Sequence, residues 1–171
     1  MTPEATPAMT GLPLYARPFQ LGYVTDDIAH AMRSFRLLGI AEFLIVEVGA
    51  AAGRDAPYGA RIAMAYAGDQ MIELIQPIGP PAPVYIDDLP PPGSKRCVFN
   101  HVGFGVPDRD AWDGLVGELD RQAVEISWRG SDPSRFDVIY ADTRPAFGHY
   151  CEFIRLSPEL QALFERVPRH G

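Results

Sequence analysis

Four side chains that can bind a cation or move a proton recur at matched places in two halves of the sequence. Gln20 and His101 each precede a glycine by two residues, in short segments that align with each other. Glu73 and Glu152 follow at nearly the same offset, each within an apolar run. A carboxylate among apolar neighbours is costly to bury unless a cation or hydrogen bonds compensate its charge. Either glutamate alone could face solvent on a half-exposed strand, but the matched pairs favour one shared site.

The elements that carry these side chains form two copies of a β-α-β-β-β module. After the first strand of each copy, Asp26 or Asp27 and then Asp108 predict helix caps. Apolar residues at three-and-four spacing follow and reach Leu38 in the first half, where Gly39 ends the helix. Strands are predicted at 19–24, 43–48, 61–67 and 70–75, and again at 100–105, 124–128, 136–141 and 149–154. The repeat predicts an α+β fold made of two tandem modules.

The same pattern divides the chain into three parts. A flexible N-terminal tail, one domain and a C-terminal helix with its own tail are expected, and Ser157 followed by Pro158 marks the start of that helix. The bounds are 1–17 for the first tail, 18–156 for the domain (modules 18–77 and 98–156, proline-rich connection 78–97) and 157–171 for the C-terminal part. The connection is not expected to hold long regular structure, because prolines interrupt it.

Strand alternation predicts which side chains share a face with the four polar residues. Residues two apart point the same way, so Gln20 is expected to face away from Phe19. Four further side chains could line a pocket for an apolar or aromatic substrate: Met71, Tyr150, Tyr66 and Tyr140. Aromatic residues in strands are more often part of the core, so both readings remain open.

The repeated module, with a ligand-capable residue on its first and fourth strands, resembles the vicinal oxygen chelate superfamily, also called the glyoxalase/bleomycin-resistance/dioxygenase proteins. The resemblance covers about residues 18–156. The order Gln20, Glu73, His101, Glu152 is similar to the metal set of glyoxalase I. Residues 101–103 and 71–77 also resemble methylmalonyl-CoA epimerase, and residues 73–77, 142–144 and 148–150 resemble uncharacterised bacterial glyoxalase-like proteins.

The resemblance implies one divalent metal ion held by these four side chains. One imidazole and three oxygen donors suit Zn, Ni, Co, Mn or Mg better than a thiolate-loving ion. Within this resemblance, Glu152 is the carboxylate that moves a proton, and Glu73 is a ligand or second base. The implied reaction is that of a lyase or an epimerase-like isomerase, with proton transfer next to a chelated carbonyl or hydroxyl of a small substrate.

Two other functions remain open at this point. Members of the superfamily that only bind small molecules, such as resistance proteins, typically lack the complete metal set. An extradiol dioxygenase needs an Fe(II) site of two histidines and one carboxylate, whereas Gln20 stands at the first position here. Among the isomerases, the epimerases carry a second glutamate just before the glycine that starts the third strand. The stretch 56–58 before Gly59 holds no carboxylate.

The amino-acid composition argues against two classes of binding partner and leaves a small-molecule substrate as the expected one. A net charge of −7 and a pI near 5.0 oppose binding to nucleic acid or to an anionic membrane, since both require a basic surface. Two cysteines and the lack of a signal-peptide pattern predict a cytoplasmic protein. A homodimer is expected, because two open modules leave sheet edges and apolar faces to cover.

Overall fold

The computed structural model describes residues 18–132 and 134–171, so the tail predicted for 1–17 lies outside the described residues. The described part of the chain contains nine strands and four α-helices. Their bounds are β1 Pro18–Thr25, α1 Ile28–Phe35, β2 Leu44–Gly49, β3 Gly59–Ala67, β4 Gln70–Pro77, β5 Cys97–Gly105, α2 Arg109–Arg121, β6 Ile126–Asp132, β7 Phe136–Ala141, α3 Arg144–Phe147, β8 Tyr150–Leu156, α4 Pro158–Phe164 and β9 Arg169–His170.

One mixed sheet joins the two modules. Its strand order is β2-β3-β4-β1-β5-β8-β7-β6, and β9 pairs with β3. The first strand of each module runs parallel to the fourth, β1 with β4 and β5 with β8, and the two first strands pair antiparallel in the middle. The strand order of the second module, β5-β8-β7-β6, is therefore the mirror image of the order β2-β3-β4-β1 in the first. This confirms the predicted α+β fold of two tandem modules.

The two long helices cover one face of the sheet. Asp27 caps α1 by accepting a hydrogen bond from the backbone N–H of His30 at 2.9 Å, and Asp108 caps α2 in the same way. Each helix packs on its own module as a separate apolar cluster. The inclusion of Leu38 in the buried stripe was wrong: the α-helix ends at Phe35, a 3-10 turn follows, and Leu38 is 74% exposed.

The opposite face is covered by segments outside the repeat. Val84 and Tyr85 of the connection pack on the second module, and Phe164 and Val167 pack on the first. A 3-10 turn at Pro83–Tyr85 is the regular structure of this connection. The face between these two covers carries the four polar residues of the repeat.

Two short elements differ from the sequence expectation. Helix α3 was not predicted, because four residues are too few to show a helical period. Strand β9 lies in the predicted C-terminal tail and pairs with Tyr66 and Ala67, which depends on a partner distant in sequence. Across the described residues, no helix has the length and apolar character needed to cross a membrane.

Candidate metal centre

The structure brings the four polar residues together on the four central strands. We call them the donor set: Gln20 on β1, Glu73 on β4, His101 on β5 and Glu152 on β8. Gly22 pairs across the sheet with both Glu73 and His101, and Gly103 pairs with both Gln20 and Glu152. All four side chains consequently share one face of the sheet, as alternation predicts.

Distances within the donor set show that the sheet curls around it. His101 Nε2 lies 3.4 Å from Glu73 Oε2 and 3.5 Å from Glu152 Oε2. Strands β4 and β8 are three strand spacings apart, which is about 14 Å in a flat sheet. Because both carboxylates still reach one imidazole nitrogen, the face that carries the donor set is concave.

A glycine in each module leaves space for a donor side chain of the other module: Gly22 for His101, and Gly103 for Gln20. A Cβ atom added to Gly22 would stand 1.9 Å from His101 Cε1, and one added to Gly103 would stand 2.8 Å from Gln20 Oε1. Any side chain at either glycine would thus collide with a donor. The glycines on which the sequence repeat aligns are explained by this packing.

The donor set is buried, and most of it lacks hydrogen-bond partners. The exposed fractions are 2% for Gln20, 8% for Glu73, 0% for His101 and 6% for Glu152. Within residues 18–132 and 134–171, three buried side-chain atoms have no hydrogen-bond partner, and all belong to this set: Gln20 Oε1, His101 Nε2 and Glu152 Oε2. Buried polar atoms are nearly always paired with protein, water or a ligand, so three unpartnered atoms at one place are compatible with a bound ion.

The spacing between His101 Nε2 and the two carboxylates fits a shared cation. Two ligand atoms about 2.0–2.2 Å from one ion stand roughly 3–3.5 Å apart at octahedral or tetrahedral angles. The two distances from His101 Nε2 fall in or at the edge of this interval. In the described part of the chain, no three His, Cys, Asp or Glu side chains have the geometry of a formed metal site. Three members of the donor set, Glu73, His101 and Glu152, are of these residue types, so without a cation they do not close on one point as a formed site would.

Burial and neighbouring charge shift the titration of this cluster. Burial raises the pKa of Glu152 to about 7; the nearby His101 opposes this rise and Glu73 adds to it. Burial lowers the pKa of His101, but the charges of Glu152 and Glu73 outweigh that effect and raise it. Burial also raises the pKa of Tyr140 far above its ordinary value. In the metal-free protein at neutral pH, the cluster therefore holds a carboxyl that can both gain and lose a proton.

The predicted substrate-lining residues divide into two groups. The ring of Tyr140 stands edge-on to His101 at 5.2 Å between centroids, and Tyr150 packs on Tyr140 at 6.1 Å. Met71 is fully buried and pairs with Gln20 across the strands. Tyr66 lies on β3, next to the strand that carries Met71, and the guanidinium carbon of Arg169 stands 4.0 Å from the centre of its ring. Three of the four thus border the donor set, and Tyr66 does not.

Tyr66 instead lines a cavity of about 430 Å³ that continues the concave face. Gly105 and Ile154 form part of its wall and pair with each other two residues beyond the Gly103–Glu152 pair, or about 7 Å along the strands. Phe19 also lines it, although alternation predicted that Phe19 would face away from Gln20. A register shift between Pro18 and Gln20 turns Phe19 inward, so that prediction was wrong.

Sequence reasoning missed two residues, one in contact with His101 and one in contact with its neighbour Tyr140. The hydroxyl of Tyr85 lies 3.3 Å from that of Tyr140, and Asn100 Oδ1 lies 3.0 Å from His101 Nδ1. Tyr85 belongs to the irregular connection, which gives no periodic signal. Asn100 directly precedes His101, so simple alternation places it on the opposite face.

The amino-acid sequence matches one known protein family. The sequence model of the glyoxalase/bleomycin resistance protein/dioxygenase superfamily matches residues 19–140. The chain belongs to this superfamily. The match includes Gln20, Glu73 and His101 and confirms the resemblance drawn from the sequence. No curated protein sequence matches the chain significantly.

Solved structures share the fold at low sequence identity. A methylmalonyl-CoA epimerase from Mycobacterium tuberculosis is 17% identical, with a TM-score of 0.54 over 84% of this chain and 89% of that one. A hypothetical protein from Bacillus halodurans C-125 is 18% identical, with a TM-score of 0.56 over 83% and 95%. A variant of the Streptomyces coelicolor methylmalonyl-CoA epimerase, in complex with 2-nitronate-propionyl-CoA, is 14% identical, with a TM-score of 0.56 over 83% and 95%. These likenesses establish the fold.

Proposed function

We propose that this protein is a divalent-cation-dependent lyase or epimerase-like isomerase that moves a proton next to a carbonyl or hydroxyl of a small substrate. One observation carries the proposal: three buried, unpartnered polar atoms converge with a second carboxylate on one concave face. A surface that only packs against apolar groups would not gather four polar side chains there.

The donor set would hold the cation through the amide oxygen of Gln20, the carboxylates of Glu73 and Glu152, and Nε2 of His101. This oxygen-rich set suits Zn, Ni, Co, Mn or Mg. A bound divalent cation would supply Lewis acidity to a substrate oxygen. The burial of the donor set excludes water from the reacting atoms, which strengthens every charge interaction there.

Glu152 is the residue we propose to move the proton. An efficient general acid–base group has a pKa near the working pH, and in the metal-free protein burial raises the pKa of Glu152 to about 7. The buried ring of Tyr140 lies opposite Glu152 in the strand register and limits the positions open to its carboxyl group. Glu73 is the second candidate base, on the other side of His101.

The neighbouring cavity suits the remainder of the substrate. Its lining is mainly aliphatic and aromatic, with Arg169 among the few charged residues. A substrate that directs its oxygens to the donor set can extend an apolar group over Gly105 and Ile154. Tyr58 stands just before β3, where the resemblance to epimerases calls for a glutamate, and it packs against the cluster around Tyr140. We therefore propose proton transfer on a carbonyl compound that need not be methylmalonyl-CoA.

A dioxygenase would need a second histidine near His101, and none lies there among residues 18–132 and 134–171. His149 Nδ1 lies 2.8 Å from the backbone oxygen of Tyr150, and its ring packs between Phe99 and Phe147 rather than toward Glu152. An iron site of two histidines and one carboxylate would require it to reorient. This placement favours proton transfer over oxygen activation.

The proposal is tested by proton–deuterium exchange into acyl thioesters and hydroxyketones with the metal-loaded protein. Exchange should occur next to the carbonyl of at least one probe and fall by roughly two to four orders of magnitude in Glu152→Gln, which keeps an oxygen but cannot carry a proton near neutral pH. Glu118→Gln, which changes a buried glutamate of α2 outside the centre, should exchange like the wild type. Tight binding of a probe without exchange would instead assign a binding protein.

A further inference from the structure

We infer that Asn100, held by Asp88 and the backbone of Val84, is a positioning residue that sets the ring orientation and tautomer of His101. The part of this inference that concerns metal binding rests on the proposed function. Asn100 is fully buried, and its Oδ1 lies 3.0 Å from His101 Nδ1. A histidine that ligates a metal through one ring nitrogen usually has the other nitrogen fixed by a hydrogen bond.

The other contacts of Asn100 decide which way its amide points. Its Nδ2 donates to the backbone oxygen of Val84 at 2.9 Å and to Asp88 Oδ2 at 2.7 Å. Both partners can only accept at ordinary pH, so the nitrogen of the amide must face them and the oxygen must face His101. Since that oxygen only accepts, the proton of a neutral His101 lies on Nδ1. The lone pair of Nε2 is then directed toward Glu73 and Glu152.

A β-bulge explains how Asn100 reaches the ring beside it. In the pairing of β1 with β5, Gly22 faces His101 and the next residue, Tyr23, faces Phe99, so Asn100 is an extra residue without a partner in the ladder. Bulges redirect side chains and are frequent next to functional sites. The first module has a bulge at the equivalent place, where Phe19 precedes Gln20. In the first module the bulged residue, Phe19, lines the apolar cavity, whereas in the second module the bulged residue, Asn100, directs its amide to His101.

The contact with Asp88 couples the inter-module connection to the donor set. Asp88 is partly buried and supplies a charged acceptor, which makes the hydrogen bond stronger than one between neutral groups. Without that acceptor only the backbone oxygen of Val84 opposes rotation of the Asn100 amide, so an amide that presents its N–H groups to the imidazole becomes more populated. The tautomer with a free Nε2 would then lose its preference.

Two substitutions of Asp88 separate this role from a general effect of charge. Asp88→Asn keeps an acceptor oxygen, whereas Asp88→Ala removes it. Asn100→Leu deletes the amide at similar volume, and Asp87→Ala removes a charge from the same segment without touching Asn100. We expect Zn²⁺ affinity to fall about 10–100-fold in Asn100→Leu and Asp88→Ala, and to stay near the wild-type value in Asp88→Asn and Asp87→Ala.

The direct readout is ¹⁵N NMR of the His101 ring in metal-free protein at a pH where the ring is neutral. The wild type and Asp88→Asn should show the Nδ1–H tautomer, and Asp88→Ala should show a mixture. Wild-type protein with the Nε2–H tautomer would overturn the inference, as would Asp88→Ala with an unchanged tautomer and unchanged Zn²⁺ affinity. Wild-type protein that binds no divalent ion but keeps the Nδ1–H tautomer would refute the proposed function and leave the role of Asn100 supported. If Asn100→Leu does not fold, the two Asp88 variants decide.

Discussion

Gly22→Ala should damage the centre without changing any of its polar groups. The added Cβ would lie 1.9 Å from Cε1, 2.3 Å from Nε2 and 2.4 Å from Nδ1 of His101, whereas ordinary contacts begin at 3.4 Å. The imidazole would have to move by about 1.5 Å in tightly packed surroundings. It is fully buried, held by Asn100 and packed against Tyr140. Overpacking of this kind costs about 1–3 kcal/mol of unfolding free energy.

The assay combines urea unfolding with calorimetric titration of Zn²⁺ into chelator-treated protein. Displacement of His101 should weaken Zn²⁺ binding by about 10–100-fold, since support of a ligand is worth that much. Gly105→Ala is the matched control, because it adds the same atom on β5 and its nearest neighbour, Phe19, stays 3.8 Å away. If Gly22→Ala were as stable as Gly105→Ala and bound Zn²⁺ equally well, the described packing of the imidazole would be refuted.

Three further outcomes follow from charge and exposure. In metal-free protein the unfolding free energy should fall as pH rises from 4.5 through about 7, because the raised pKa makes folded Glu152 hold a proton that the unfolded chain releases. The raised pKa of His101 extends this fall above pH 6.5, and a flat urea-stability profile would contradict both effects. Although burial raises the pKa of Asp137, hydrogen bonds from Arg155 and Ser131 lower it, so its contribution is present above pH 3.8 and is lost as pH falls through the lowered pKa. Asp137→Asn should cost about 3–5 kcal/mol at pH 7 and flatten the acid limb of the stability profile; a change below 1 kcal/mol would refute the importance of this cluster. We expect a homodimer, since β2 and β6 are sheet edges, and light scattering that gives a monomer mass would oppose it.

The repeat explains why so much of the fold was predictable. The nearly constant offset between the modules pairs Gln20 with His101 and Glu73 with Glu152 in the sequence itself, and alternation places them on one face. Strand β7 has the predicted bounds, and the helix caps at Asp27 and Asp108 form as expected. These features depend on local sequence patterns that occur in both modules.

The residues missed by sequence reasoning depend on contacts between distant segments. The bulges at Phe19 and Asn100 arise from the register between β1 and β5, which no single strand encodes. Tyr85 reaches Tyr140 only because the connection folds back over the second module. The binding of a cation by the donor set stays a prediction, since buried unpartnered atoms are compatible with a bound ion without identifying it.

Anomalous diffraction from crystals grown with Zn²⁺ tests the central claim most directly. The account predicts one strong anomalous peak about 2.0–2.1 Å from His101 Nε2, with oxygen atoms of Gln20, Glu73 and Glu152 around it, and no peak there in His101→Ala. A map without a peak at saturating Zn²⁺, or with its peak elsewhere while His101 Nε2 stays without a metal neighbour, would contradict it.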